Sequence, residues 1–301
     1  MPGKSAFVAL AGRPSVGKST LVNLFCGGKV SIVSAVPQTT RNAVRGILTR
    51  PEGQLVFVDT PGRHVSERKL NQKLMDVSDR ALDDSELVLY VLDAARAPGP
   101  EEEAVASRLH ARQNLTVAAI NKIDAEGADP KTLHAFLRQA LPDLSPARCF
   151  EISCYKKEGI TPLLNCLFEI APEGDALYPG EYYTDQEMDF RIAEIIREKA
   201  MLRLRDELPH SIYVEVADVE LREIPGAETK RLWVRAFIIT ERESQKGIVV
   251  GKGGEMIKTI GQAARKELNS IFELKVDLDL RVKTVKDWRH KDHILRKISG
   301  N

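Results

Sequence analysis

The stretch Ala6–Val22 constrains the fold of this 301-residue chain more than any other. A short apolar run, Ala6 to Leu10, leads into Gly12-Arg13-Pro14-Ser15-Val16-Gly17-Lys18-Ser19-Thr20 and then into an amphipathic helix. Gly12, Gly17, Lys18 and Ser19 fill every fixed position of the pattern G-x-x-x-x-G-K-[ST]. The match also lies between strand-like and helix-like segments, the setting in which this pattern wraps phosphates. Glycines let successive N–H groups turn inward with no Cβ in the way, and the helix starting near Lys18 adds the positive end of its dipole. In this reading Lys18 reaches the β- and γ-phosphates and Ser19 offers its hydroxyl to Mg²⁺. A glycine-rich turn without a ligand is the bland alternative, and the flanking pattern weighs against it.

Strand-like apolar runs recur at Ala6 to Leu10, Leu55 to Val58, Leu87 to Leu92, Leu115 to Ile120 and Phe150 to Ser153. Helix-length segments such as Glu67 to Asp83 and Pro130 to Ala140 separate most of them. This alternation predicts an α/β domain with a doubly wound, mostly parallel sheet and ligand chemistry at the carboxyl ends of its strands. Each remaining motif falls at such an end. Asp59-Thr60-Pro61-Gly62 follows Val58: the carboxylate can hold Mg²⁺ through water, and Gly62 lets its N–H approach a γ-phosphate. Asn121-Lys122-Ile123-Asp124 follows Ile120. Asp124 can accept both N1–H and the 2-amino group of guanine, which adenine cannot offer, so ATP would leave the carboxylate unpaired. Asn121 braces that loop, the Lys122 stem lies on the base, and the backbone of Ser153-Cys154 donates to the guanine carbonyl. Gln38-Thr39-Thr40-Arg41 occupies a polar segment without clear periodicity; one hydroxyl can complete the Mg²⁺ shell when a γ-phosphate is present, which makes the segment a switch.

Net charge is +1 overall but unevenly spread: zero over 1–180, −5 over 181–241 and +6 over 242–301. A basic carboxy-terminal part points to a polyanion if the charge clusters on one face, and to a solvated surface if it does not. No stretch approaches the ~20 apolar residues of a membrane span, and nothing ahead of the first strand reads as a signal peptide, so the expected location is the cytoplasm. The four cysteines, Cys26, Cys149, Cys154 and Cys166, have no C-x-x-C spacing and suggest neither a zinc site nor a disulfide framework.

The expected division is a nucleotide domain over 1–172, an irregular Pro/Gly-interrupted linker over 173–185, and a second domain over 186–301. In the second domain a helix within Gln186 to Glu207, ended by Pro209, precedes strands at Ser211 to Val219 and Arg231 to Thr240, joined by a loop holding Pro225-Gly226. Then come Lys246-Gly247-Ile248-Val249-Val250, the tetrapeptide Gly251-Lys252-Gly253-Gly254, a helix to about Phe272 and a third strand, Leu274 to Val282. A G-x-x-G turn between helices clamps a nucleic-acid backbone: bare glycines admit phosphates, Lys246, Lys252 and Lys258 supply charge, and bases rest on an apolar groove around Ile248 to Val250 and Ile257. In its helix–strand–strand–helix–helix–strand setting the turn predicts an α+β KH domain of the prokaryotic type, type II. The basic stretch Asp287 to Ile298, with Trp288, Arg289, Lys291, Arg296 and Lys297, is read as a helix that meets RNA or merely caps the domain.

Taken in order, the five nucleotide motifs resemble the translation-factor-like P-loop GTPases, in the branch that holds ribosome-assembly and tRNA-modification enzymes. With Ala193-Glu194-Ile195-Ile196-Arg197-Glu198-Lys199, Glu207-Leu208-Pro209-His210-Ser211 and Ile257-Lys258-Thr259-Ile260-Gly261, nearly the whole chain is similar to the Era-type family of bacterial ribosome-assembly GTPases. The resemblance implies GTP hydrolysis with Lys18, Thr40, Asp59 and Gly62 as catalytic residues, and Mg²⁺ held by Ser19, Thr40 and Asp59. It also implies binding near the 3′ end of small-subunit (16S) rRNA during late 30S maturation, a monomer with no DNA partner, and in some relatives peripheral association with the inner membrane. Two positions depart from related patterns. Arg63, followed by His64, stands where small signalling GTPases place a water-orienting glutamine, so slow hydrolysis that depends on an RNA or ribosomal partner is expected. Ser15 stands where K⁺-activated relatives usually have asparagine, which weighs against K⁺ stimulation. The other readings are a non-hydrolysing RNA-binding module with structural nucleotide, and a GTPase of tRNA modification, which would need a further catalytic domain.

Overall fold

The computed structural model describes residues 3–34, 39–62, 69–223 and 229–291. Gln38, Arg63, His64, Pro225-Gly226 and the basic tail beyond Lys291 lie outside the described residues. The chain divides into two compact units: Met1–Ser31 with Thr40–Asp185 in one, and Ile32–Thr39 with Gln186–Leu295 in the other. Among the described residues no helix is long and apolar enough to cross a membrane.

The first unit alternates strand and helix: β1 (Gly3–Ala11), α1 (Lys18–Cys26), β2 (Val44–Arg50), β3 (Gly53–Asp59), α2 (Lys69–Asp83), β4 (Leu87–Asp93), α3 (Pro100–Leu109), β5 (Thr116–Asn121), α4 (Pro130–Ala140), β6 (Cys149–Glu151) and α5 (Ile160–Ile170). The sheet order is β2-β3-β1-β4-β5-β6, parallel throughout except for the β2–β3 pair. All seven residues of β4 are buried. A strand covered on both faces reads as a continuous apolar run, which is why its sequence, LVLYVLD, lacks alternation. Helix α4 starts cleanly because Asp129 accepts from the Thr132 N–H and Pro130 opens the first turn, where its missing donor is not needed. β2 is not among the sequence expectations. Gly46 interrupts its apolar pattern, and a Cβ there would lie 2.6 Å from Val22 of α1, so close packing on the helix suppresses the usual strand signature.

The stretch expected as an irregular linker is bound into the first unit. Glu173–Gly174 forms β7, antiparallel to the start of β1. The buried Gln54 side chain accepts from the Leu177 and Tyr178 N–H groups, both at 2.8 Å, and donates to the Tyr178 carbonyl at 2.9 Å. Further on, Ile47 N donates to Tyr183 O, Thr184 Oγ1 donates to Arg45 O, and Arg45 pairs with Asp185 at 2.9 Å. This strap covers the outer edge of β2, which would otherwise present unpaired backbone groups.

The second unit runs α6 (Met188–Met201), α7 (Leu208–Ser211), β8 (Tyr213–Arg222), β9 (Arg231–Thr240), α8 (Glu243–Val250), α9 (Glu255–Ile271) and β10 (Lys275–Thr284). Its sheet has the order β10-β9-β8, with β10 parallel and β8 antiparallel to β9. Ile192, Ile195 and Ile196 of α6, Val234, Ala236 and Ile238 of β9, and Ile260, Ala264 and Leu268 of α9 form its core. One expectation is corrected. Helix α6 stops at Met201, and Pro209 instead sits in the first turn of α7, where proline is tolerated. Of the two readings of the stretch that begins at Asp287, Trp288 fits the capping one: it is fully buried, its ring lies 4.8 Å from that of Tyr213 and tilted to it, and it donates Nε1–H to Ser211 O at 3.1 Å. Truncating it removes one of the largest buried side chains of the unit. Trp288→Ala is expected to lower stability by about 3–5 kcal/mol, read as a shifted urea midpoint of the full-length chain.

Candidate nucleotide and nucleic-acid sites

The loop between β1 and α1 lies at the carboxyl end of the sheet, and motif residues from four strands converge on it. Lys18 is buried and donates from Nζ to Gly12 O at 2.8 Å and Arg13 O at 3.0 Å, arching over the loop it belongs to. Burial lowers its ammonium to about 8, although Asp59 and Glu102 pull the other way. Gly17 takes φ +107°, and a Cβ there would stand 2.4 Å from Asn121 Nδ2. Only glycine admits this contact. The Asn121 side chain donates to Val16 O at 2.9 Å and accepts from the Cys154 N–H at 3.1 Å. Lys122 donates to Ser15 O at 2.8 Å and to Asp93 at 2.7 Å. The two asparagine–lysine positions therefore fasten the phosphate loop to the segments expected around guanine. Asp124 is half-buried in the loop after β5, and Ser153 Oγ accepts from the Lys156 N–H. In this structure the Cys154 N–H assigned to the guanine carbonyl is engaged with Asn121.

The expected magnesium ligands are gathered. Ser19 Oγ donates to Asp59 Oδ2 at 2.6 Å and lies 3.1 Å from Thr40 Oγ1. Asp59 is fully buried, and its Oδ1 has no hydrogen-bond partner among the described residues. Burial pushes its carboxyl upward, against the pull of Ser19 and Lys18. Two hydroxyls and an orphaned carboxylate oxygen form the hard oxygen set that Mg²⁺ prefers, so the residues fit the ion. Thr60 donates to Leu10 O at 2.8 Å and Gly62 lies against Pro14, which ties the Asp59–Gly62 turn to β1 and the phosphate loop. Pro61 and Arg41 are buried and Val16 is fully enclosed, while Thr20 is half-buried on α1. Arg63 and Gln38 are outside the described residues.

Two participants escape sequence reasoning. Glu102 in the first turn of α3 is fully buried, with Oε1 3.2 Å from Arg13 Nε beneath the loop. An acidic residue at a helix start reads as a dipole complement, so nothing in the sequence marks it. Asp93, the partner of Lys122, does carry a signal: like Asp59, it ends a buried strand.

In the second unit, α8 and α9 flank the turn Gly251-Lys252-Gly253-Gly254. Gly251 (φ +75°) could carry a Cβ only 2.7 Å from Met256 Cβ, so the turn closes tightly there. Lys252 and Lys258 are exposed, Gly247 and Ile248 also face solvent, and Val250, Gly254 and Ile257 are half-buried. Lys246 is within 3.5 Å of Glu243. Val249 corrects the expected groove: about 100° further round the helix than the exposed Ile248, it is fully buried in the core and offers no surface to a base.

The comparisons with known proteins fit this geometry. A family described as "50S ribosome-binding GTPase" matches residues 7–122, and a KH-domain family matches residues 207–289. The GTPase Era of Treponema denticola is 49% identical over 98% of this chain and 99% of its own, and that of Treponema pallidum 42% over 97% and 96%. A solved Era in complex with MgGDPNP and nucleotides 1506–1542 of 16S ribosomal RNA is similar at TM-score 0.90 and 33% identity, covering 98% of both chains. A variant of Aquifex aeolicus Era bound to GDP·AlF₄⁻ is similar at TM-score 0.88 and 33% identity, over 97% and 98% of the two chains. The guanine-selecting role expected of Asp124 has a direct check: Asp124→Ala is expected to erase most of a GTP-over-ATP preference on the order of 10⁴, measured by competition against a labelled guanine nucleotide.

Proposed function

Because the chain belongs to the Era family of GTPases, we propose that it hydrolyses Mg²⁺·GTP in its first unit, binds the 3′ region of 16S rRNA through its second, and assists late small-subunit assembly. The observation that carries this reading is the gathering of Ser19, Thr40 and Asp59 beside the phosphate loop, in one chain with a lysine-bearing G-x-x-G turn. The large-subunit wording of the GTPase family match concerns residues 7–122 alone, whereas the small-subunit assignment follows the full-length relatives.

In this reading the inward N–H groups of 12–18 and the Lys18 ammonium hold the β- and γ-phosphates, and the half-buried Asp124 carboxylate selects guanine. Magnesium bound by Ser19, Thr40 and Asp59 would neutralise charge developing on the phosphate oxygens. Thr40 stays in the cluster when the γ-phosphate is present and is released with it, which makes 38–41 the switch. No glutamine follows Gly62, so the attacking water is ordered by the RNA-bound or ribosome-bound state and hydrolysis is slow alone. Ser15 offers a shorter side chain than asparagine from a left-handed backbone (φ +64°), so K⁺ and Na⁺ support the same turnover. On this reading the protein works in the cytoplasm as a monomer, and any membrane association is peripheral.

Separate lesions should separate the functions. Lys18→Ala is expected to abolish GTP binding while retaining affinity for an oligoribonucleotide of the 16S 3′ end. Gly253→Asp is expected to do the reverse, because a Cβ at Gly253 meets nothing within 4 Å and aspartate tolerates its φ of +62°, while the carboxylate repels phosphate. Filter binding and nucleotide titration of both variants decide the matter; loss of both activities in either one would refute the assignment. Turnover stimulated severalfold by K⁺ over Na⁺ would likewise refute the role given to Ser15.

A further inference from the structure

The segment Ile32–Thr39 belongs to the second unit, whereas Thr40, its covalent neighbour, belongs to the first. Both described ends of this segment are held by consecutive residues of α6. Glu198 Oε1 accepts from the Val33 N–H at 2.7 Å, and Arg197 donates from Nη2 to the Thr39 carbonyl. Both side chains are almost wholly enclosed, at 2% and 3% exposure, so these bonds form away from water, where a charge-assisted bond is strong and a misplaced partner is heavily penalised. Arg197 is itself aimed by Glu194, which accepts from Nε at 2.7 Å and from Nη2 at 2.6 Å. The other oxygen of Glu198 accepts from Lys199 Nζ at 2.7 Å, and Lys199 also pairs with Glu267. Glu267 lies on α9, the helix that begins directly after the G-x-x-G turn.

We propose that Arg197 and Glu198 are positioning residues for GTP hydrolysis, holding Thr39 and Val33 so that Thr40 is kept in the magnesium-binding cluster, and that Lys199–Glu267 links this clamp to the RNA-binding helix. The inference deepens the function proposed above and rests on its assignment of Thr40 to magnesium and of the G-x-x-G turn to RNA. Its physical content is a differential one. GDP does not need Thr40 in the cluster and GTP does, so a clamp that holds Thr40 in place favours the triphosphate. A shift of α9 on binding RNA moves Glu267, and with it the ion pair that fixes Glu198. By linkage, RNA and GTP must then change each other's affinity by the same factor.

The test uses the full-length chain and three variants. Arg197→Met keeps length and apolar bulk, Glu198→Gln keeps shape, and Glu267→Gln alters a partly exposed residue far along α9 and serves if either buried change unfolds the protein. Affinities are measured for GDP and for a non-hydrolysable GTP analogue, each with and without the 16S 3′-end oligoribonucleotide. Arg197→Met and Glu198→Gln are expected to lower the GTP-analogue to GDP affinity ratio about tenfold or more while leaving GDP binding and the melting temperature of the GDP form close to wild type. Glu267→Gln is expected to leave that ratio unchanged without RNA and to abolish the change that RNA produces. A merely structural role would weaken both nucleotides alike. Folded variants that keep the wild-type ratio and the wild-type response to RNA would overturn the proposal. Should wild-type RNA affinity be identical with GTP analogue, GDP and no nucleotide, the switch of the preceding subsection fails; the clamp is then judged on the nucleotide ratio alone, and the Lys199–Glu267 link is overturned with the switch.

Discussion

The phosphate loop depends on backbone carbonyls being tied down from outside. Ser15 and Gly17 hold left-handed backbone at φ +64° and +107°, and a loop so bent persists only where the surrounding structure over-determines it. Here Lys18 takes the carbonyls of Gly12 and Arg13, Lys122 takes that of Ser15, and Asn121 takes that of Val16. Four loop carbonyls are thereby bonded to side chains and held in place. The residues that would choose the base thus also shape the cradle for the phosphates, and Gly17 is the point where the two meet, with no room for a Cβ against Asn121. This explains why the Asn-Lys-x-Asp motif lies at the end of β5, two strands from β1: the sheet brings its carboxyl end beside the loop.

That dependence also accounts for what the sequence disclosed. The strands β1, β3, β4 and β5 are largely buried, so their apolar runs stand out, and the motifs after β1, β3 and β5 are short and polar, the first two glycine-bearing. β2 is an exception of packing: Gly46, set against Val22 and Cys26 of α1, removes the residue that would have completed an alternating pattern. The strap over 173–185 reads as a linker because proline and glycine break any period, yet its order comes largely from one buried glutamine, Gln54, and from single side-chain and backbone ties that carry no periodic signature. Val249 and Trp288 show the converse. The lysines and glycines beside Val249 point to RNA, and the basic stretch around Trp288 to RNA or to a cap, while both side chains are themselves buried in the core.

Charge placement separates the two kinds of ionic group in the molecule. On the sheet of the second unit, Arg231–Asp277, Arg235–Asp279 and Arg281–Asp279 join neighbouring groups at 3.0–3.2 Å, all of them partly exposed. Such pairs contribute little to stability, ~0–1 kcal/mol each, and any of them can be exchanged with little consequence. Arg13–Glu102 and the Arg197–Glu194 and Glu198–Lys199 pairs differ because they are buried or nearly so. Removing water from such charges offsets most of the attraction between them, so well-packed apolar side chains of similar size would hold the fold at least as well.

What an apolar replacement cannot supply is direction. A guanidinium fork fixes the angle at which it meets a carbonyl, and a carboxylate with one oxygen on a lysine presents the other along a set line. Arg13–Glu102 lies under the loop that must hold phosphates, and Arg197–Glu198 lies on the backbone that leads into Thr40. Both therefore occur where a displacement of an ångström in a neighbouring chain segment would move a ligand of the bound nucleotide. Buried charge in this protein coincides with the places where position matters more than cohesion. The exposed Lys252 and Lys258, at and just after the G-x-x-G turn, follow the opposite rule, since on the proposed reading a flexible, hydrated charge can follow an RNA backbone whose course changes from one nucleotide to the next.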